Sequence, residues 1–405
     1  MAKTFANPST TPVHNWKSST SLLHVLFFWC SIGCPVVESW SRPFAFGSTG
    51  IAPCQVLSMT FTLKTDCIGT DDCIVSNARI CAGLPMVLRC ASTDGLANVK
   101  ADGSEAHTCT CMFDEAIRKK AGLILDLRSP SERDEAQAQA WMALTIEDLP
   151  PFSVKELRTD QLYHETELRQ FIQAYNRHVV RLDIISPNRF MKYIDQHWLS
   201  AAKKVQANLF KIVDGYKLHN LRIETLNRQG LLGLNEAILE TGKQGLCTAL
   251  QIITLFLEQS QKRQQGVTPS TQSFDLIVIH CVQGKDRTGL LVMLCQALIG
   301  VSQHDIIEDY HKSHDKKENH KEASAALQRI TSDQSGPVKL NRTIFNSAPR
   351  HVMESTLEYL RSKYGSIAPG YLDHIGFDGA WQQRFQSVAS VSTTVITDSV
   401  GQSKL

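Results

Sequence analysis

The residues with the clearest chemical potential in this sequence are Cys281 and Arg287, in a C-x5-R arrangement. They lie in the decapeptide HCVQGKDRTG (280–289), which follows the apolar run FDLIVIH and leads into the apolar stretch TGLLVMLCQALIG. The first run is rich in β-branched residues and predicts a buried parallel strand, and the second ends at Gly300 and predicts a buried helix. The decapeptide therefore joins a strand to the N-terminus of a helix.

Such a turn predicts a binding site for an anion. It gathers backbone N–H groups at the positive end of the helix dipole, which favours an anion by about 0.3 to 2 kcal/mol. Gly284 allows a positive φ and a close approach, and Gly289 allows the helix to pack tightly. Arg287 can bind two phosphoryl oxygens at once through its planar guanidinium. We therefore expect a phosphate-binding cradle, whose further lining residues are Val282, Gln283, Lys285 and Thr288.

The cradle also favours the thiolate form of Cys281, because helix N-termini and neighbouring cations stabilise a negative sulfur. A thiolate in contact with a phosphate ester can displace the leaving oxygen in line, and water then hydrolyses the thiophosphoryl enzyme. Thr288 can donate its hydroxyl to the sulfur, and His280 can hold the loop through a hydrogen bond. The sequence predicts a phosphomonoesterase that needs no metal and no other cofactor.

Other interpretations of the decapeptide fit less well. A nucleotide-binding loop, G-x4-G-K-[ST], would need Gly at Ile279 and Ser or Thr at Asp286. A polar surface turn with an incidental cysteine does not explain the strand, the helix, the glycines and the C-x5-R spacing together. A non-catalytic phosphate-binding module that keeps the cradle is the alternative to an enzyme.

The leaving group needs a proton donor, and two aspartates are candidates. Asp286 lies inside the cradle, whereas Asp126 ends another predicted strand, where α/β proteins gather catalytic groups. The flanking cations Lys285 and Arg287 favour the ionised form of Asp286, which opposes an acid role until a bound phosphate offsets them. Each carboxylate also has a structural alternative, which for Asp126 is an ion pair with Arg128 or the loop arginine.

Lys285 bears on the substrate. A second cation in the cradle suits a substrate with more than one phosphate, such as a phosphoinositide, whereas a single phosphotyrosine needs only the amides and Arg287. Alternatively, Lys285 points to solvent or pairs with a helix carboxylate. The expected partners are therefore phosphotyrosine or phosphoserine proteins or phosphoinositides, and a lipid substrate would bring peripheral membrane contact.

The decapeptide resembles the HC-x-x-GKDRTG loop of the tyrosine/serine phosphatase-like family of C-x5-R cysteine phosphatases, which is related to atypical dual-specificity and lipid phosphatases. LILDLRSPSER (123–133) is similar to the family's strand ending in Asp-Leu-Arg-Ser, and residues 87–92 and 350–377 resemble its upstream and C-terminal segments. The resemblance implies a tyrosine phosphatase-like α/β fold with a central sheet flanked by helices. Lipid-directed relatives carry an aspartate before the loop arginine, which favours Asp286 over Asp126 as the acid. The family's Asn-Phe-Arg-Asp lead-in is not found before residue 84.

Length and charge limit the domain organisation and the possible partners of the chain. The 405 residues include 42 Lys and Arg against 40 Asp and Glu, so no global field draws the protein onto nucleic acid or an anionic membrane, and any affinity for anions has to be local. We expect a leader and irregular extension over 1–80, a catalytic domain over 81–386 with a helical insertion at about 141–225, and a disordered tail over 387–405.

The N-terminal region raises the question of targeting. The apolar stretch SLLHVLFFWCSIGCPVV (21–37) follows an acid-free start, in the order of a signal or plastid transit segment within about 1–47. Without such a leader, the expected compartment is the cytoplasm. The cysteines from Cys54 to Cys111 contain no C-x2-C pair, which predicts free or buried thiols rather than a zinc site.

Overall fold

A central sheet of six strands organises the protein. The computed structural model describes residues 74–94, 96, 111–133, 135–142, 149–172, 176–265, 274–314 and 338–389. The strands are β1 (Arg79–Cys81), β2 (Leu84–Cys90), β3 (Ala121–Asp126), β4 (Phe152–Leu157), β5 (Arg177–Leu182) and β6 (Leu276–His280). Their spatial order is β1-β2-β6-β3-β5-β4, with β1 antiparallel to β2 and all other neighbours parallel. The carboxyl ends of the five parallel strands therefore meet at one edge of the sheet.

Helices cover both faces of this sheet. They are α1 (Met112–Lys120), α2 (Glu135–Met142), α3 (Glu165–Phe171), α4 (Pro187–Tyr193), α5 (Ala201–Val213), α6 (Gly215–Thr241), α7 (Lys243–Gln265), α8 (Asp286–Leu298), α9 (Gln303–His311), α10 (Arg342–Phe345), α11 (Arg350–Tyr364) and α12 (Leu372–His374). Residues 379–389 are also helical. Short 3-10 or π turns lie at Pro130–Glu132, Ile194–Trp198 and Ile367–Tyr371. The predicted α/β class, a central sheet flanked by helices, is confirmed.

The central strand β6 is buried along its whole length. Ile277 and Ile279 belong to the larger hydrophobic cluster, with α7 and α8, whereas Val278 packs in a second cluster with Phe113 and Ile117 of α1. Because both faces are covered, the strand is apolar at every position instead of alternating. That pattern is what made β6 predictable.

Helices α5 and α6 form a hairpin. The carboxylate of Asp214 accepts hydrogen bonds from the backbone amides of Tyr216 and Lys217, both at 3.1 Å, and so caps α6. Leu218 and Leu221 of α6 pack with Ala207 of α5 in a small hydrophobic cluster. A kink interrupts α6 further along, at Gly230, where φ is 63°.

Within the range of about 141–225, where the sequence predicts a helical insertion, the chain is mainly helical only from Pro187 onwards. Strands β4 and β5 occupy the earlier part of that range and extend the sheet. Strand β4 lies at the sheet edge and is mostly exposed, so its apolar signal is weak. Strand β5 is fully buried but contains charged residues, among them Arg177, whose Nε donates to the carbonyl of Ala121 at 2.9 Å. Its buried arginines, of which Arg177 is satisfied by backbone carbonyls and Arg181 by Glu135, hid this strand from the hydrophobic pattern.

The expected domain boundaries also shift. Residues before 81 are part of the folded unit, since Val75 is 1% exposed and its amide donates to Asp114 at 3.1 Å. At the other end, Val388 and Ala389 are buried within the last helix. The expected leader within 1–47 and most of the expected tail lie outside the described residues.

Two further sequence expectations concern cysteines and membranes. Cys81 and Cys90 are buried free thiols, as predicted, but Cys111 is disulfide-bonded, so the prediction is wrong there. Within the described ranges, none of the helices combines the length and apolar character that crossing a bilayer requires.

Candidate active site

Cys281 lies directly after β6, at the edge where the strand carboxyl ends meet, and it is 3% exposed. Backbone hydrogen bonds tie its loop to both neighbours. The amide of Leu127 donates to the carbonyl of His280 at 2.9 Å, and the amide of Ser92 donates to the carbonyl of Val282 at 2.9 Å. The loop is therefore clamped between the ends of β2 and β3, with α8 beginning five residues after the sulfur.

The turn at Gly284 requires glycine. Its φ is 65°, and a Cβ built there would lie 2.1 Å from the carbonyl oxygen of Cys90. The side-chain amide of Asn77 donates to the carbonyls of Gln283, at 2.9 Å, and Gly284, at 3.1 Å. These contacts fix the orientation of two carbonyls of the turn. The left-handed turn predicted from the sequence is present.

A buried group that we call the Asp309 cluster, consisting of Asp309, Arg79 and Arg89, supports the same turn. Arg79 Nε donates to the Asp309 carboxylate at 3.0 Å, and Arg89 Nη1 donates to its other oxygen. Arg89 Nη2 donates to the Gly284 carbonyl at 2.9 Å. Burial opposes ionisation of Asp309, but Arg89 and then Arg79 more than offset it and hold its pKa below the usual range. The carboxylate therefore stays ionised and fixes both arginines.

A second group, which we call the Glu132 cluster, consists of Glu132, Ser129 and Arg287. Both terminal nitrogens of Arg287 donate to the Glu132 carboxylate, each at 2.7 Å, and Nη1 also donates to the carbonyl of Leu127 at 3.0 Å. The Ser129 amide and hydroxyl donate to the same carboxylate at 2.7 and 2.9 Å. The Glu132 side chain is 0% exposed. The guanidinium is thus held in one orientation beside the sulfur loop.

Glu132 was missed by the sequence reasoning, although a local signal existed. Ser129 and Glu132 form an S-x-x-E capping box at the short turn Pro130–Glu132. A capping box ordinarily predicts only the start of a helix. Its glutamate reaches Arg287, 155 residues later in the chain, so only the three-dimensional arrangement reveals the second role.

The carboxylate of Asp126 forms an ion pair with Arg128. Arg128 donates through Nε and Nη2 to the two oxygens of Asp126, each at 2.9 Å, and its Nη1 donates to Asp94 at 2.6 Å. Burial opposes ionisation of Asp126, but His280 and Arg128 outweigh it and hold its pKa well below the usual range. The structure places Asp126 at the carboxyl end of β3, as predicted, and in the ion pair that the sequence left as its structural alternative.

Asp183, another residue missed from the sequence, follows the last residue of β5. Burial raises its pKa to about 6, against the opposing charge of Arg287, and its carboxylate accepts a hydrogen bond from the amide of Ile185 at 3.1 Å. A carboxyl group at the strand ends whose pKa is raised toward neutral pH has one property of a proton donor. In the sequence, RLDII offered no signal beyond its place after a strand that was itself not recognised.

Two further cradle residues, Lys285 and Gln283, contact the segment around α10. The ammonium of the buried Lys285 donates to the carbonyls of Phe345 and Ser347, the latter at 2.9 Å, and lies 3.7 Å from the Asp286 carboxylate. Gln283 donates to the side chain of Asn346 at 3.2 Å. Lys285 and Gln283 thus connect the cradle to the segment around α10.

Thr288, Asp286 and Gly289 begin helix α8 beneath the cradle. In the described part of the chain, Thr288 Oγ1 and Asp286 Oδ1 are buried without a hydrogen-bond partner. The Asp286 side chain is 19% exposed. A Cβ at Gly289 would lie 3.1 Å from Arg89, so this glycine lets the helix approach the Asp309 cluster. Asp286 Oδ1 still lies 3.7 Å from the Lys285 ammonium, whereas the Thr288 hydroxyl could donate to a ligand in the cradle.

The model of the tyrosine phosphatase family matches residues 119–388, which include β3, the cradle and the C-terminal helices. The chain belongs to this family. It is therefore a phosphatase, a hydrolase that acts on phosphorylated substrates, and the predicted tyrosine phosphatase-like fold is confirmed. No match was found among individual curated proteins. Strands β1 and β2, with Asn77, Arg79 and Arg89, lie outside the matched range.

The arrangement in this phosphatase suits the binding of a tetrahedral anion. The N-terminal turn of α8 supplies amide groups with no acceptor inside the helix, and Arg287 supplies a fixed positive charge. A sulfur lies in the same loop, buried at 3% exposure. Bound phosphate would therefore meet a cation, amide donors and a cysteine side chain within one continuous segment.

Proposed function

We propose that this phosphatase is a cysteine-dependent phosphomonoesterase that hydrolyses phosphotyrosine or phosphoserine proteins or phosphoinositides through a thiophosphate intermediate. The observation that carries the proposal is the pairing of buried Cys281 with Arg287, whose two terminal nitrogens are fixed by Glu132 at 2.7 Å. Nucleophilic displacement at phosphorus needs both a placed nucleophile and a cation on the equatorial oxygens.

The proposed reaction has two steps. The Cys281 thiolate attacks phosphorus as the bond to the leaving oxygen breaks, and an acid donates a proton to that oxygen. Water then attacks phosphorus, the P–S bond breaks, and the same carboxylate accepts a proton from the water. Arg287 and the amides stabilise the phosphoryl oxygens in both steps, and the Thr288 hydroxyl can donate to the departing thiolate.

Asp286 is the proposed acid. Its side chain is partly exposed at the cradle, and Oδ1 has no hydrogen-bond partner in the described part of the chain. Asp126, the other sequence candidate, has both oxygens occupied by Arg128, which supports a positioning role. Asp183 enters as a further candidate because its raised pKa of about 6 leaves part of it protonated at slightly acidic pH.

The contacts of Lys285 say less about the class of substrate than the sequence suggested. Its ammonium already donates to two backbone carbonyls near α10. It therefore does not by itself favour a substrate with several phosphates, and both protein and lipid phosphates remain within the proposal. Val282 and Gln283 are half-buried residues of the same loop, and we propose that they contact the substrate.

The decisive experiment replaces the sulfur. Cys281→Ser should abolish turnover of p-nitrophenyl phosphate and keep binding of inorganic phosphate or vanadate, because serine is a far weaker nucleophile in the same cradle. Cys247→Ser, in α7, is the matched control and should keep turnover. A wild-type protein that binds phosphate but never releases it from any ester would instead identify a non-catalytic module.

A panel of substrates then assigns the specificity. Release of phosphate should be compared for phosphotyrosine peptides, phosphoserine peptides and soluble short-chain phosphoinositides. A preference of at least about tenfold, or 1.4 kcal/mol in the barrier, for one class would assign the enzyme to it.

The proton donor can be assigned by the leaving group. Asp286→Asn should hydrolyse p-nitrophenyl phosphate almost normally and fail on alkyl phosphates, because a good leaving group needs no proton. Asp126→Asn and Asp183→Asn are tested on the same pair of substrates. If the leaving-group dependence appeared only in Asp183→Asn, the acid role would pass from Asp286 to Asp183.

A further inference from the structure

Helix α5 turns its large apolar side chains outward. Val205, Leu209, Ile212 and Val213 are between 57 and 86% exposed, and Tyr216, at the start of α6, is 53% exposed. Their spacing places the four aliphatic residues on one side of the helix. We call these five residues the α5 ridge. An exposed apolar patch of this kind marks an interaction surface.

The inward side of α5 is much smaller. Ala207 is its buried residue, and Phe210 is partly buried against Leu218 and Leu221 of α6. More large apolar side chains therefore face away from the protein than face toward it. Packing in the hairpin does not explain this composition.

The charged side chains of α5 itself have one sign. Helix α5 contains Lys203, Lys204 and Lys211 and no acidic residue. The neighbouring carboxylates are already engaged, Asp195 by Arg222 at 2.5 Å and by Lys211 at 3.3 Å, and Asp214 as the cap of α6. An apolar stripe flanked by cations is the pattern of a helix that lies in the interface of an anionic membrane.

We propose that the α5 ridge docks on the surface of a membrane that contains anionic lipids. The aliphatic side chains would enter the region between the headgroups, and the lysines would meet the headgroup charges. This binding surface is independent of the proposed catalytic steps, because none of its residues belongs to the cradle.

A second copy of the chain is a poorer occupant. In a two-fold interface the same surface meets itself, so the lysines beside one ridge would approach those beside the other without an acidic partner on α5. A single helix of 13 residues is about 20 Å long, which offers less than the roughly 800 Å² per partner of a stable interface. Lipid headgroups, in contrast, supply the missing negative charge.

The hairpin that carries the ridge is connected to the cradle. In α6, the side chain of Asn227 donates to the carbonyl of Lys339 at 2.9 Å and accepts from the amide of Asn341 at 2.8 Å. Asn341 caps α10, the helix whose Phe345 carbonyl accepts from Lys285 of the cradle. Docking would therefore hold the catalytic loop at a fixed distance from the lipid surface.

Vesicle binding by the full-length protein tests this proposal. Wild type should bind vesicles of phosphatidylcholine with phosphatidylserine and bind phosphatidylcholine alone much more weakly. Ile212→Asp should weaken partition onto these vesicles at least about tenfold, because a charge replaces an aliphatic group that would enter the membrane. Lys204→Gln should weaken it about fivefold and reduce its dependence on salt.

Leu162→Asp is the matched control, since Leu162 is 84% exposed but lies in the loop before α3. It should bind as wild type does, and turnover of soluble p-nitrophenyl phosphate should be unchanged in all three variants. Any contribution from the apolar stretch 21–37 is common to every variant. Absence of binding, an equal loss in Leu162→Asp, or a wild-type dimer that Ile212→Asp dissociates would each overturn the proposal. Because no turnover is needed for binding, the result stands apart from the catalytic assignment.

Discussion

Two arginine clusters contact the cradle loop, and they are built differently. In the Asp309 cluster, one carboxylate is shared by Arg79 and Arg89, and the second arginine also binds a loop carbonyl. In the Glu132 cluster, one carboxylate holds one arginine through two bonds of 2.7 Å. The first arrangement leaves its carboxylate saturated and fixes the backbone. The second presents a single oriented cation, which is what an incoming phosphate requires.

The Asp309 cluster supports the backbone of the loop, whereas the Glu132 cluster orients the cation that a phosphate would meet. Removal of a residue in the Asp309 cluster should cost stability first, whereas removal in the Glu132 cluster should change turnover first. Three substitutions test this separation, and a fourth tests the carboxyl group of Asp183, whose pKa Arg287 influences.

Arg287→Lys should have the largest effect. Lysine keeps the charge but cannot bind Glu132 and two phosphoryl oxygens with one planar group, so kcat should fall about 10²- to 10³-fold. Steady-state kinetics on p-nitrophenyl phosphate measure this. Arg384→Lys, at an arginine that pairs with the carboxylates of Glu165 and Glu258 outside the cradle, serves as the control and should keep kcat. A kcat near that of wild type in Arg287→Lys would remove the oriented cation from the mechanism.

Asp309→Asn should mainly destabilise the fold. It leaves two buried arginines without their counter-charge, which costs about 3 to 5 kcal/mol in the free energy of unfolding. Because the pKa of Asp309 is held below its usual range, its contribution is present above the unfolded value of about 4 and is lost as pH falls below it. Urea titration at neutral pH measures the loss, and Glu308→Gln on the same helix is the control. A loss of turnover without a loss of stability would reverse the roles of the clusters.

Glu132→Gln should separate binding from turnover. Without the carboxylate, Arg287 attracts phosphate at least as strongly but is held less firmly, so kcat should fall about tenfold or more while inorganic phosphate binds no more weakly. Inhibition by phosphate and kcat are measured on the same preparation. Weaker phosphate binding with unchanged kcat would show that Glu132 does not orient the guanidinium.

Asp183→Asn should have the smallest effect on stability, and a favourable one. Burial raises the pKa of Asp183 to about 6, so its ionised form is disfavoured in the folded protein. Its contribution to stability falls as pH rises from the unfolded value of about 4 through 6. The asparagine variant should therefore melt a few degrees higher than wild type at pH 7.5 and equally at pH 4, measured by thermal unfolding. A lower melting temperature at pH 7.5 would indicate that the carboxylate is needed as a charge beside Arg287.

The cradle could be predicted because its chemistry is contiguous in the chain. Cys281, Gly284 and Arg287 lie within a few residues, and the strand and helix around them have strong apolar patterns. The positive φ at Gly284 follows from the need for a tight turn, and the structure shows it. Local sequence therefore determined the loop and its flanking elements.

The supports could not be predicted, because each comes from a distant segment. Glu132 reaches Arg287 from a capping turn, and Asp309 reaches Arg79 across 230 residues. Strand β5 was hidden by its charged residues, and with it the position of Asp183. Lys285 looked like a ligand for phosphate, but its direction depends on carbonyls near α10 that no local pattern reveals.

The ammonium of Lys285 has one last consequence. It couples the segment from 338 to 348 to the cradle turn, since two carbonyls of that segment accept hydrogen bonds from a side chain of the turn. Coupling of this kind is reciprocal. An oxyanion that rigidifies the turn should therefore slow amide exchange in the segment. By the same coupling, a substitution in the segment that weakens these two hydrogen bonds should weaken binding of the oxyanion.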